Sequence, residues 1–287
     1  MDKIIEINSA VNGFVWGPIM LALLVGILVY TDYTQEQIYQ ESTENLLSTY
    51  GQSAKTFTMF AQRNWNILTD WDSYLCTLAE RGEQEGRWQE YIAQKATWQY
   101  TDFYLFNEQC EFWTTAGRQG TAEHMRAAFE ELYTANEPVI TSYTSSQGIR
   151  KIMFAMPMEQ PLQLGDTTYT ALAVSYDNAV LEKLLGSMVY EGQSDCYIVR
   201  SNGDVVLSTE TKTEIPEQMT NLFDYLQQNA RVDKPYYDTM VQTLPQGGEG
   251  CVLYTLNKQK YYLIYQPLGI LDWGIIGIVP TGVVDAG

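Results

Sequence analysis

Histidine is almost missing: His124 stands alone in 287 residues. A His-based catalytic triad or a two-His metal site therefore cannot be assembled within one chain. Cysteine is sparse as well. Cys76, Cys110, Cys196 and Cys251 never fall into a CxxC spacing, which argues against a structural zinc site or a thioredoxin-like redox pair. They read as four isolated apolar residues; under oxidising conditions the pair to expect is Cys196 with Cys251, on two strands of the same half. Phosphate-cradling, zincin and nucleophile-elbow signatures are absent. The Asn202-Gly203-Asp204 turn lacks the acidic spacing of a calcium loop. Neighbouring acids such as Asp70 with Asp72, or Glu130 with Glu131, read as charges on helix surfaces, not as a dyad converging across a cleft. His124, in AEHMRAAFEEL, reads as a solvated helix residue. Neither an enzyme, a metal site nor a bound cofactor is expected.

Positive charge is also scarce. Residues 31–287 carry 33 Asp and Glu against 16 Lys and Arg. A surface so acidic argues against nucleic acid as a partner, which needs a basic footprint, and against lying on anionic lipid. Long apolar runs are rare too, with one exception. GFVWGPIMLALLVGILVY, residues 13–30, is uncharged throughout and long enough to cross a hydrocarbon core as a helix. A signal peptide is the competing reading, but no small-x-small cleavage site follows and Lys3 is the one basic residue before the run. Lys3 before it, and Asp32 and Glu36 after it, place the amino end inside and the body outside. The expected location is the cell membrane, with a single amino-terminal span and an extracytoplasmic body.

Beyond the anchor the patterning is rich. A helical period runs from Thr31 to about Asp70, with Ile38, Leu46, Leu47, Tyr50, Phe57, Phe60, Trp65 and Leu68 roughly on one face. At 1.5 Å per residue this helix is about 60 Å long, longer than one domain is wide, so part of its apolar face can pair with a second copy. A second helical stretch covers about 73–98. Period-two strands follow at Thr101–Thr115, about 138–143, 149–157 and 167–176, with helices at about 122–133 and 178–185. The plan then restarts with a hairpin at Ser194–Thr209, a helix near 217–229, and strands near 250–256, 260–266 and 273–278. Thr101-Asp102-Phe103-Tyr104-Leu105 matches Ser194-Asp195-Cys196-Tyr197-Ile198 at an offset of 93, and Glu111 falls on Asp204 at the same offset. KIMFAMPM (151–158) and KYYLIYQPL (260–268) are both apolar strands ended by proline. This is an α+β chain: an amino-terminal transmembrane helix, a long helix, then two antiparallel-sheet units in tandem.

The duplicated unit beside a membrane-exiting helix resembles the double Cache sensors, the PAS-like extracytoplasmic domains of bacterial receptors. FAMPM (154–158), YTALAVSYDNAVL (169–181) and DCYIVRSNGDVVLST (195–209) carry the likeness, which covers nearly all of residues 31–287 and is similar to hybrid histidine kinases and diguanylate cyclases. GIIGIVPTGVVDAG looks like the last strand before a further membrane helix. The resemblance implies an anchor at 1–30, a membrane-exiting helix at 31–72, a membrane-distal ligand-binding unit at 73–189 and a membrane-proximal unit at 190–287. INSAVNGFVWGPIMLALLVGILVY separately resembles the start of sodium:alanine symporters, though nothing after Tyr30 continues that family.

The implied function is sensing a small molecule and relaying the event to a cytoplasmic output domain; the alternative is an anchored binding or adhesion module without signalling. Candidate ligand residues are Tyr104, Trp113, Arg118, Tyr143, Arg150, Tyr169 and Asp177. Aromatics with a carboxylate suit a cationic or amine head group, and an Arg suits a carboxylate, so amines, amino acids and carboxylates are the expected ligand classes. Each has a plainer reading: core for Tyr104 and Trp113, ordinary strand residues for Tyr143 and Tyr169, solvated turn charges for Arg118 and Arg150, a helix N-cap for Asp177. In amino-acid-binding members of the resembled family an Asp set like Asp177 in VSYD holds the ligand amine. Their Arg-x-Trp-Tyr run is absent, and GRQGTAEH (117–124) stands in its place. The second half, with Tyr197, Tyr254, Tyr261, Tyr262 and Tyr265, is expected to relay and not to bind.

Overall fold

The structure is a computed structural model. It describes residues 2–80, 102–145, 148–186, 193–209, 215–216, 219–232 and 234–285, with side-chain surroundings from Met20 onward except at 79, 80, 150, 178, 181, 182 and 186. One helix, α1 (Asp2–Glu80), runs 79 residues without a break, close to 120 Å at the standard rise. The expected interruption after Asp70 does not occur, because 70–80 contains neither Pro nor Gly and Trp71, Leu75 and Leu78 continue the buried face. The later part of the stretch expected at 73–98 lies outside the described residues. Along α1 the buried apolar positions are Leu46, Tyr50, Ala54, Phe57, Ala61, Leu68, Trp71, Leu75 and Leu78; with the buried Asn64 between Ala61 and Leu68 they are spaced by threes and fours, as one stripe of a helix requires. Of the residues placed on this face from sequence, Ile38 alone among those named is exposed.

The first sheet is built from β1 (Asp102–Phe106), β2 (Glu111–Thr114), β3 (Gln119–Thr121), β4 (Val139–Thr144), β5 (Arg150–Leu164) and β6 (Thr167–Asp177), in the order β3-β2-β1-β6-β5-β4. A short 3₁₀ turn at Glu123–Met125 leads into α2 (Arg126–Ala135), and α3 (Asn178–Gly186) follows β6. The second sheet holds β7 (Asp195–Arg200), β8 (Val205–Ser208), β9 (Arg231–Val232), β10 (Gly250–Leu256), β11 (Gln259–Pro267) and β12 (Trp273–Pro280), in the order β8-β7-β12-β11-β10-β9. Its helices are α4 (Leu222–Asn229), α5 (Lys234–Thr243) and the closing turn α6 (Thr281–Val284). The expected α+β arrangement, a long helix and two antiparallel sheets in tandem, is what the chain forms. The strands β3 and β9 and the helix α5 were not expected; they are short, and none has a clean apolar period.

The repeat extends to the turns. In the first hairpin Cys110 N–H donates to Asn107 O and Asn107 N–H to Glu111 O; in the second Gly203 N–H donates to Arg200 O and Arg200 N–H to Asp204 O. These are the same bonds, 93 residues apart. The third residue of the loop is left-handed in both, Cys110 at φ 59° and Gly203 at φ 89°, which is the bulged three-residue hairpin loop. The two arms also share a couple: Tyr104 Oη donates to Asp102 at 3.3 Å, and Tyr197 Oη to Asp195 at 3.4 Å.

Both sheets lean on α1. Toward the second sheet, the Tyr50 ring packs directly against Gly277 of β12, where any added Cβ would overlap it. Gln266 Nε2 donates to Leu47 O and Thr58 Oγ1 donates to Leu268 O. Toward the first, Phe60 packs edge-on against Phe154 and Tyr176, and Trp71 against Phe103. A single apolar core therefore passes from one sheet to the other along the helix. Among the described residues no disulfide joins any of the four cysteines. Cys196 pairs with Gly277, Gly277 with Ile264 and Ile264 with Cys251, so the expected partners share one row of the sheet three strand spacings apart. That is about 14 Å, beyond disulfide reach. Burial pushes the Cys251 thiol up to about 12 and raises that of Cys196 as well.

Candidate functional site

Strand alternation divides the first sheet into two faces. Phe103, Leu105, Trp113, Ile152, Phe154, Leu172 and Val174 face α1. On the other face Tyr104, Phe106, Met153, Ala155, Ala171 and Ala173 pack against α2. Registers fix what shares that second face: Tyr104 is opposite Thr114 and Ala173, Asp102 opposite Ser175, Ser175 opposite Met153, and Lys151 opposite both Asp177 and Tyr143. At the end of this face the apolar packing gives way to charge.

Lys151 is at the centre, with a side chain 9% exposed. Its Nζ is 3.1 Å from Asp102 Oδ2 and 3.5 Å from Asp177 Oδ1. The other oxygen of Asp102 takes the Arg118 guanidinium, a bond that holds the Arg118 pKa above its usual value. Tyr104 Oη and Tyr143 Oη are 3.0 Å apart, and burial, then the Tyr143 bond, pushes the Tyr104 phenol well up. Ser175 Oγ is buried beside Tyr104 and meets no partner in hydrogen-bond geometry among the described residues. The ring of His124 sits 5.5 Å from that of Tyr143, on the 3₁₀ turn and not on the helix expected there. Asp102 is nearly covered, whereas Asp177 is 40% and Arg118 59% exposed. The cluster thus has a closed inner half and an open rim carrying one carboxylate, one guanidinium and the phenol of Tyr143.

Of the residues singled out from sequence, the structure brings together Tyr104, Arg118, Tyr143 and Asp177. Trp113 is opposite Leu105 and Tyr169 opposite Leu162, and both enter the core against α1 on the far face. Arg150 opens β5 beside Thr144; its side chain lies outside the described residues. Asp177 does end β6 immediately before α3, as an N-cap would, yet its carboxylate is turned to Lys151. Sequence reasoning missed Asp102, Lys151 and Ser175. The Asp-x-Tyr couple repeated at 102–104 and 195–197 was the available signal.

The duplicated sheet supplies an internal comparison. Asp195 pairs with Ile278 and Ile278 with Leu263, so Ile278 and Leu263 stand where Ser175 and Met153 do. Two residues on, Tyr261 faces Pro280 where Lys151 faces Asp177. Tyr254 and Tyr261 stack there at 5.2 Å, and Tyr197, Tyr254, Tyr261 and Tyr265 all belong to one apolar cluster. Tyr262 turns to the opposite face, against Tyr39.

No protein-family model and no curated protein matches the sequence. Solved structures do match. The ligand-binding domain of the Pseudomonas fluorescens chemoreceptor CtaA, in complex with L-isoleucine, aligns with TM-score 0.62 at 12% identity, over 88% of this chain and 98% of that one. The extracellular domain assigned to the histidine kinase soHK1S-Z6 gives 0.62 at 12%, over 88% and 99%. The ligand-binding domain of the Pseudomonas aeruginosa PAO1 amino acid chemoreceptor PctC, in complex with GABA, gives 0.53 at 14%, over 82% and 98%. The fold is therefore that of the tandem PAS-like sensory domains of chemoreceptors and histidine kinases. Nothing in these comparisons supports the symporter likeness of residues 1–30.

Proposed function

We propose that this chain is the extracytoplasmic sensor region of a bacterial transmembrane receptor, and that a small ligand bearing an ammonium and a carboxylate is held at the Lys151 cluster of the first sheet. Asp177 would take the ammonium, Arg118 the carboxylate, and Tyr143 the body of the ligand. The observation that carries the reading is the contrast between the duplicated sheets. One sets Ser175, Lys151 and Asp177 around its Asp102; the other keeps the equivalent Asp195, also buried, but has Ile278, Tyr261 and Pro280 in the other three places. Buried charge is costly unless it is paired or used, so a duplicated unit that sets a lysine and a second carboxylate beside its aspartate on one side only points to use. The matched chemoreceptor domains, solved with isoleucine and GABA, suggest amino acids as the class. The role is binding, not catalysis.

The span at 13–30 belongs to the same proposal. Among the described residues no helix is long and apolar enough to cross a membrane; residues 13–19 of that run precede Met20, where side-chain surroundings are not described. From Met20 to Val29 every large apolar side chain is exposed, Leu21 at 65%, which suits lipid and not water. The proposed units remain the anchor at 1–30, the exiting helix from 31, the distal sensing unit of 73–189 and the proximal relay of 190–287. A homodimer would pair along the uncovered side of α1, where Tyr33, Ile38 and Met59 are exposed.

A thermal-shift screen of the full chain in detergent micelles, against amino acids, amines and small carboxylates, tests the reading. A ligand at a hundredfold excess over its Kd stabilises the native state by about 2.7 kcal/mol. The expected result is a raised midpoint with an amino acid, lost in Asp177→Ala. No response across the panel, or the same response in Asp177→Ala, overturns it.

A further inference from the structure

Asp72 was expected on the helix surface, yet it is 2% exposed. It lies on the stripe of α1 that faces the first sheet, close to β5 where the register with β6 shifts between Pro157 and Leu162. Its Oδ2 accepts the backbone N–H of Glu159 at 2.9 Å, and its Oδ1 is buried with no hydrogen-bond partner among the described residues. One turn further along α1, Cys76 is half-buried, and Glu159 is exposed. One ligand atom from each of Asp72, Cys76 and Glu159 lies within 4.8 Å of the other two. Among the described residues no Lys or Arg pairs with either carboxylate. Two carboxylates beside a thiol, one of them buried with a bare oxygen, form an uncompensated negative site.

We propose that Asp72, Cys76 and Glu159 bind a divalent cation of the zinc class, separate from the Lys151 cluster. Ligand atoms around a tetrahedral zinc stand roughly 3.6 Å apart, from bond lengths of about 2.0–2.3 Å. The three groups reach that spacing by a swing of the exposed Glu159 side chain. A thiolate among the donors selects a borderline cation over calcium or magnesium. The bound cation makes the thiol give up its proton, and the proton passes to solvent at the exposed side of Glu159. The Glu159 N–H fixes one oxygen of Asp72 and leaves the other aimed at the metal, the orienting arrangement that metal-bound carboxylates commonly have. Three protein ligands leave a fourth position for water. The consequence is a cross-link from α1 to the irregular part of β5. Burial raises the Asp72 pKa before any metal binds, in keeping with a charge that lacks its counterion.

Cobalt reports such a site directly. The full chain in detergent micelles, with thiols reduced, is titrated with Co²⁺ and followed by thiolate-to-cobalt charge-transfer absorption. One equivalent binds with that band, zinc displaces it, and zinc raises the thermal midpoint in a chelator-reversible way. Cys76→Ser abolishes the band, and Asp72→Asn and Glu159→Gln abolish one-to-one binding. If Asp72→Asn fails to fold by circular dichroism, the exposed Glu159→Gln carries the test alone. Absence of a saturable one-equivalent band in the wild-type chain overturns the proposal. So does cobalt binding that is unchanged in Cys76→Ser, the behaviour of surface carboxylates only.

Discussion

Lys151 stands between two carboxylates in a place where water barely reaches. A buried pair adds little to stability when intact, but removing one partner leaves a charge with neither water nor counterion. Replacing Lys151 by Met keeps the stem and deletes the ammonium. Arg118 still serves Asp102, so the loss expected for the folded state is at the lower end of the usual range, about 3 kcal/mol. Urea unfolding of Lys151→Met against the wild type measures it, and Asp177→Asn added to the same chain recovers part of the loss. A change below about 1 kcal/mol would show that the cluster is solvated. The same residue shows where sequence reading stopped. A lysine at the head of an apolar strand looks like the solvent end of that strand, and nothing local says that Asp102, 49 residues earlier, waits on the same face two strands away. Trp113 failed to join for a related reason. Which face a strand residue takes depends on the parity set by the hairpin loop, and one residue of register moves it from rim to core. Aromatic content is equally compatible with both.

At the level of elements, the repeat at an offset of 93 was legible because hairpins announce themselves: alternation on both arms and a Gly or polar turn between them. The structure adds that Cys110 occupies the left-handed position where the second copy has Gly203, which composition could not reveal. The unbroken α1 was less legible. Its buried face turns from one sheet to the other, and a stripe that changes partner looks like two helices. The contact that binds it to the second sheet is a missing side chain, Gly277, under the ring of Tyr50. Gly277→Ala is expected to cost about 3 kcal/mol, the upper range for overpacking, since sheet backbone and a buried ring would have to part. Tyr50→Ala is expected to cost a similar amount by cavity formation. Because each change removes the other's penalty or partner, the double variant should be milder than the sum by more than about 1 kcal/mol. Additive losses in a chemical-denaturation cycle would show that helix and sheet do not meet there.

For the whole molecule, a continuous core decides how the two halves behave. Leu46, Tyr50 and Phe57 of α1 share one apolar cluster with Phe154 of the first sheet and Ile264 of the second. The far end is clasped too: Ser42 Oγ and Tyr262 Oη both donate to Asp285 Oδ1, at 3.1 and 3.0 Å, tying the closing turn α6 to α1 at Ser42. Two units joined by a linker would unfold separately. Two units that bury opposite ends of one helix cannot, since losing either sheet exposes part of the stripe that the other needs. Differential scanning calorimetry of the full chain is therefore expected to give one transition, with calorimetric and van't Hoff enthalpies close to equal. Gly277→Ala, which loosens the second sheet alone, should broaden or split it. Two resolved transitions in the wild-type chain would mean that α1 is a tether and not a shared core. One transition has a functional consequence, because a ligand that stabilises the first sheet then acts on the second through α1. The energy it can deliver there is limited to its differential affinity for the two arrangements.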